Sequence, residues 1–182
     1  MSGRTPPPLA STPPALHDAR VSRELPPCGL YRTTQAVAGV DADRLVYFHN
    51  HGNPGAGLYL PERWTHNRAH FSPSGRTLGD DVDAAKVLRP LPREGFYRVT
   101  ATFFCCSKHC MQFAPEMLVQ LGYNGAGRAL LFVPELVGGG LTVPDRGTFV
   151  DDDALVNLVA LQVPERRDGR DDISVPRGIV VH

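Results

Sequence analysis

The chain has 182 residues, 42% of them hydrophobic and 21% charged, with 19 basic and 19 acidic side chains and no formal net charge. That is enough apolar material for a real core and suits one domain or two small ones, and the missing basic excess argues against a nucleic-acid partner. No apolar run approaches the roughly 18 residues that span a bilayer, no signal-type apolar segment follows Arg4, and four cysteines, three of them crowded together, make no disulfide framework, so a reducing cytoplasm without a membrane partner is the expected setting.

Residues 1–27 hold seven of the 17 prolines and few large apolar side chains. Proline fixes φ and removes a backbone donor, and a stretch with so little to bury is expected to be a disordered or polyproline II arm. Arg4 and the Pro6-Pro7-Pro8 run suggest an SH3 or WW ligand, but Ala10 stands where the second proline of that spacing belongs. At the other end, residues 165–182 begin with ERRDGRDD, whose charges cancel, and read as a solvated tail.

Between these ends lies an internal repeat. Gly29-Leu30-Tyr31-Arg32 returns 66 residues later as Gly95-Phe96-Tyr97-Arg98. Leu45-Val46 returns as Leu118-Val119, and Leu58-Tyr59-Leu60-Pro61-Glu62 as Leu131-Phe132-Val133-Pro134-Glu135, both at 73 residues. Gly75, Leu78 and Asp80-Asp81 return at 72 residues as Gly147, Val150 and Asp152-Asp153. Order and spacing persist across the whole unit, which points to two copies of one supersecondary structure.

Each copy reads as all-β. Residues 30–34, 44–48 and 58–60 are short runs rich in Val, Leu, Tyr and Phe, bounded by Gly, Asn, Pro and Asp; 96–104, 117–121 and 129–133 repeat them. HNHGNPGAG and GYNGAGR have the composition of hairpin turns. Residues 80–88 and 152–161 fit either a short helix or a last strand, because Leu155, Leu158 and Val159 have helical spacing amid β-branched neighbours. The expected fold is therefore two tandem small SH3-like barrel units, residues 28–92 and 93–164, packed about a pseudo-twofold axis.

Features shared by both copies belong to the fold, whereas features of one copy mark grafted function. Nine residues separate Thr34 from Arg44, but 16 separate Thr100 from Met117, and the excess carries Cys105, Cys106, His109 and Cys110. Cys105 with His109, and Cys106 with Cys110, are four apart, and thiolate and imidazole are good zinc ligands; inert, partly buried cysteine is the competing reading, and Lys108 and His109 are the support for a reactive thiol. His49 and His51 would share a strand face, but the acidic ligand that often completes such a pair is missing, Glu62 being too distant; turn histidines are the simpler reading.

Trp64, the single tryptophan, follows Arg63 where the second copy has Val137. With Tyr59 and Phe71 nearby it is the candidate partner-binding face, the alternative being closure of a core or of the seam between copies. No serine triad, Walker loop or Rossmann fingerprint occurs, and Gly138-Gly139-Gly140 reads as a flexible turn. The functional expectation is a non-enzymatic protein-interaction module, an adaptor or subunit; the alternative is a metal-binding or redox-responsive protein using the Cys105–Cys110 loop.

Overall fold

The structure, a computed structural model, describes residues 25–51 and 55–162. Most of the proline-rich arm and the charged tail lie outside the described residues. Pro26 and Pro27, assigned to the arm by composition, are tied to the first sheet: the Asn50 side-chain amide donates to the Pro26 carbonyl (3.0 Å) and the Tyr31 hydroxyl to the Pro27 carbonyl (2.7 Å).

The fold is all-β. In the first half, β1 (Gly29–Thr33), β2 (Leu45–His49), β3 (Gly57–Tyr59), β6 (Arg76–Thr77) and β7 (Leu88–Pro90) form an antiparallel sheet in the order β6-β3-β2-β1-β7. A separate hairpin, β4 (Pro61–Thr65) with β5 (Arg68–Phe71), is inserted between β3 and β6, and the short helix α1 (Ala84–Val87) runs directly into β7. In the second half β8 (Gly95–Val99), β11 (Leu118–Tyr123), β12 (Ala129–Phe132), β15 (Thr148–Phe149) and β16 (Leu158–Ala160) form a sheet in the order β15-β12-β11-β8-β16. The hairpin β13 (Glu135–Val137) with β14 (Gly140–Thr142) again separates the third and fourth strands, and a 3-10 turn, Asp152–Asn157, precedes the last. Where the sequence left helix and last strand as alternatives, both occur, in that order.

The two halves correspond in detail. Tyr31 and Tyr97 are both buried, and each donates its hydroxyl to the carbonyl four residues earlier at 2.7 Å. Thr34 N–H bonds to the Val87 carbonyl as Thr100 N–H does to Asn157, and Leu91 N–H to Leu30 as Leu161 N–H to Phe96. The expected 96–104 strand is divided: β8 ends at Val99, and β9 (Phe103–Phe104) pairs with β10 (Gln112–Phe113) as a hairpin of its own. Its base is a stacked pair of buried rings, Phe103 and Phe113, 4.9 Å apart. In the first half the same connection is tightened to a single bridge between the buried Val37 and Val40.

Both inserted hairpins turn on two residues with positive φ, His66 (50°) and Asn67 (63°) in one, Gly138 (58°) and Gly139 (82°) in the other. Asn and Gly tolerate that region, and such primed turns match the twist of paired strands. Pro61 lies just past β3 and opens β4 beside a register shift, at an edge where its missing donor does little harm.

Two cores result. Tyr31, Val37, Val40, Val46, Phe48, Leu58, Leu78, Val87 and Leu88 fill the first half. The second core, around Val99, Phe113, Val119, Leu121, Tyr123 and Leu131, also takes in Leu30 and Leu45 from the first half, with Tyr47, Ala69 and Phe71 packed against it. Leu30 and Tyr31 are neighbours on β1, so strand alternation sends one toward each core. The halves are further joined by Arg32 and Arg89, cross-strand partners that both pair with Asp152. No helix among the described residues is long and apolar enough to cross a membrane.

Candidate functional site

The β4–β5 hairpin lies across the second sheet. The Trp64 indole N–H donates to the Tyr123 carbonyl (2.7 Å), and Asn67 Nδ2 donates to Gln120 Oε1 (3.2 Å) and to the Pro144 carbonyl (3.0 Å). Gln120, one of the few buried polar side chains, returns a bond from Nε2 to the His66 carbonyl (2.9 Å). The close approach depends on Gly122, where a Cβ would stand 2.4 Å from the Asn67 carbonyl oxygen. Glu94 holds the far strand of the hairpin by accepting the Ala69 N–H (3.0 Å). Burial pushes the Glu94 carboxyl above its ordinary value of 4.5, opposed by the Ala69 N–H, by Arg68 and by a Tyr123 backbone bond.

Trp64 remains 42% exposed and walls an open groove of about 550 Å³ whose floor includes Tyr123, Leu130, Phe132 and Gly147. Its indole N–H is already spoken for, so it offers its ring face. The other three residues of the expected partner face do not line this groove. Arg63 is exposed on the same hairpin. Tyr59 lies over Gly75, where a Cβ would be 2.6 Å from its ring, and stands edge-on to His49 at 6.4 Å. Phe71 meets Tyr47 at 5.8 Å and packs toward the second core.

The Cys-rich insertion is anchored at its base and exposed at its tip. Cys105 is buried, its N–H bonded to the Met111 carbonyl (2.9 Å) and its sulfur accepting the Met111 N–H (3.3 Å). Ser107, Lys108, His109 and Cys110 are exposed. The sulfurs of Cys105, Cys106 and Cys110 converge within 4.8 Å of one another, with Cys105 and Cys106 3.7 Å apart. His109 is not in that group: positive φ (53°) at His109 turns the chain, and its ring stacks on Phe104 at 4.1 Å. The Lys108 backbone N–H and the Cys105 thiol, both directed at Cys106, hold its pKa below the usual thiol value, whereas the Cys110 thiol, bonded to Cys106, is held up.

A second convergence of donors was not anticipated. Cys28, just before β1, meets His49 at the end of β2 and His51 beyond it, with the donor atoms within 4.8 Å of one another. The pairing Gly29 with Phe48 sets Cys28 opposite His49, so the signal existed only once the register was known. All four cysteines are free thiols.

The comparisons with known proteins add no name to this geometry: no family model, no curated protein and no solved structure matches the chain. Among the described residues, fold and site together define an all-β protein with two five-stranded sheets of the same strand order, an aromatic groove beside Trp64, and two clusters of donors, one of three thiols and one of a thiol with two imidazoles.

Proposed function

We propose that the chain is a non-enzymatic protein-interaction module, built of two SH3-like, partly open barrel units, residues 28–92 and 93–164, related by a pseudo-twofold axis. What supports the architectural reading is the order of each sheet: four strands in succession, with a fifth that follows a helical turn and returns beside the first. What carries the functional reading is Trp64, an aromatic anchored through its N–H and presenting its face to an apolar groove. Rigid, partly exposed aromatics at the centre of a depression are the residues on which binding energy concentrates. The ligand that suits such a groove is an extended peptide segment bearing apolar side chains. Because the chain has one tryptophan, its emission reports on the groove directly. Peptides selected from a displayed library against the full chain should shift that emission and bind about thirtyfold more weakly or worse to Trp64→Phe and Trp64→Ala, the loss of a hot-spot residue. Selected peptides that bind both variants as well as the parent would overturn the reading.

A second reading, a metal-binding or redox-responsive Cys105–Cys110 loop in a reducing compartment, is favoured by the sulfur geometry. Two sulfurs on one tetrahedral zinc, at about 2.3 Å each, stand about 3.8 Å apart, close to the 3.7 Å between Cys105 and Cys106. Timed alkylation followed by peptide mapping tests it: Cys106, half-buried but with a lowered pKa, should react before Cys110 and well before the buried Cys105, and zinc should protect all three. Equal alkylation rates, unaffected by zinc, would dismiss it.

A further inference from the structure

We propose that Cys28, His49 and His51 form a second metal site, for a borderline-soft cation of the zinc type, at the end of the β1–β2 ladder. The donors come from two segments more than 20 residues apart in the chain and are aimed at one another. Cys28 Sγ lies 3.3 Å from His49 Nδ1 and 3.6 Å from His51 Nδ1, and the two imidazole rings are 4.1 Å apart. A sulfur and a nitrogen bound to one tetrahedral zinc, at about 2.3 and about 2.0 Å, are separated by about 3.5 Å. The observed spacing is therefore that of ligands around a shared ion.

Neighbouring groups hold these donors in place. The Asn50 backbone N–H donates to the Cys28 sulfur at 3.3 Å and fixes its position beside the two rings. Asn50 Oδ1 lies 3.0 Å from that sulfur and 2.6 Å from His51 Nδ1, while its Nδ2 is committed to the Pro26 carbonyl. In the tautomer that carries its proton on Nε2, each imidazole turns its Nδ1 lone pair toward the Cys28 sulfur, and a cation there would gather all three donors. Asn50, in contact with both Cys28 and His51, is the outer partner that orients the set. Tyr59 stands edge-on to the His49 ring at 6.4 Å. Three protein ligands, with His51 exposed, give an open site in which a fourth position faces solvent. The corresponding places in the second half are Glu94, Gly122 and Asn124, so the donor set belongs to one unit alone.

The test isolates this site from the Cys105 cluster. In a full-length chain carrying Cys105→Ala, Cys106→Ser and Cys110→Ser, Cys28 is the sole cysteine, and any sulfur-to-cobalt charge-transfer band must come from it. One equivalent of Co2+ should produce that band with tetrahedral ligand-field absorption, and Zn2+ should displace it. Adding Cys28→Ser, or His49→Gln with His51→Asn, should abolish it, and Asn50→Ala should weaken binding about tenfold. A folded triple variant that gives no band, or a band that survives loss of both histidines, overturns the proposal. Should the triple variant not fold, the unaltered chain serves: Zn2+ should shift the Nδ1 resonances of His49 and His51 in nitrogen NMR, and unchanged resonances overturn it equally.

Discussion

Tyr31 and Tyr97 spend their hydroxyls identically, each on the carbonyl that precedes its own strand. Removing one such bond costs about 1 kcal/mol, with the carbonyl left unpaired. Tyr31→Phe and Tyr97→Phe should therefore lower stability by similar amounts in urea titrations, and a large difference between them would show that the two sites are not equivalent. Glu94 sets a pH dependence. Its carboxyl is raised by burial, so the folded chain holds its proton more tightly than the unfolded chain does. The stability it contributes is complete below the ordinary carboxylate value and is lost as pH rises through the raised one. Glu94→Gln does not titrate, so the parent should gain stability relative to this variant on acidification from neutrality toward pH 4.5. Parallel stability curves would refute the assignment.

At the scale of elements, the β4–β5 hairpin and the β9–β10 insertion make opposite demands. Gly122→Ala places a methyl against the Asn67 carbonyl and the Phe132 ring, so the hairpin must lift. A cost of about 2 kcal/mol is expected, together with a red shift of Trp64 emission as its bond to Tyr123 opens. The Cys-rich insertion is not the freely replaceable loop that its polar residues suggest, because Phe103, Cys105 and Phe113 are buried in the second core. Phe113→Ala should cost about 3–5 kcal/mol, whereas replacing residues 106–110 with a two-residue Asn-Gly turn should leave the fold intact by circular dichroism. The recurring Gly-Leu/Phe-Tyr-Arg and Leu-Val segments made the paired strands legible in the sequence. The hairpins were not, since PERWT and RAHF alternate weakly and owe their place to contacts with Gln120 and Tyr123, some 55 residues away. The Cys28 cluster escaped for a similar reason: the His49 and His51 pair is visible in the sequence, but strand register alone brings Cys28 to it. Of the residues picked out beforehand, Trp64 lines a groove and three cysteines converge, while Tyr59, Phe71 and His109 have neighbours that sequence spacing does not reveal.

Across the whole molecule the second core is a shared possession. Leu30 and Leu45 are buried in it although they belong to the first sheet, and Asp152 ties Arg32 and Arg89 to the opposite half. The halves should consequently unfold as one: Trp64 emission, which senses the junction, and far-UV circular dichroism, which senses the strands, should give coincident transitions. Two separated transitions would mean that the halves are stable independently. Asp152→Ala should move both signals together.

The same shared core bears on how the chain is made. During synthesis the first sheet emerges with Leu30 and Leu45 bare, because Val119, Leu121 and Tyr123, which share their core, are still to emerge. A nascent chain stalled so that its last emerged residue is Pro92 should thus be cut readily by protease and held by chaperones that favour apolar strands, and one emerged through Ala160 should resist both. If the shorter nascent chain proves equally resistant, the first half matures without waiting for the second.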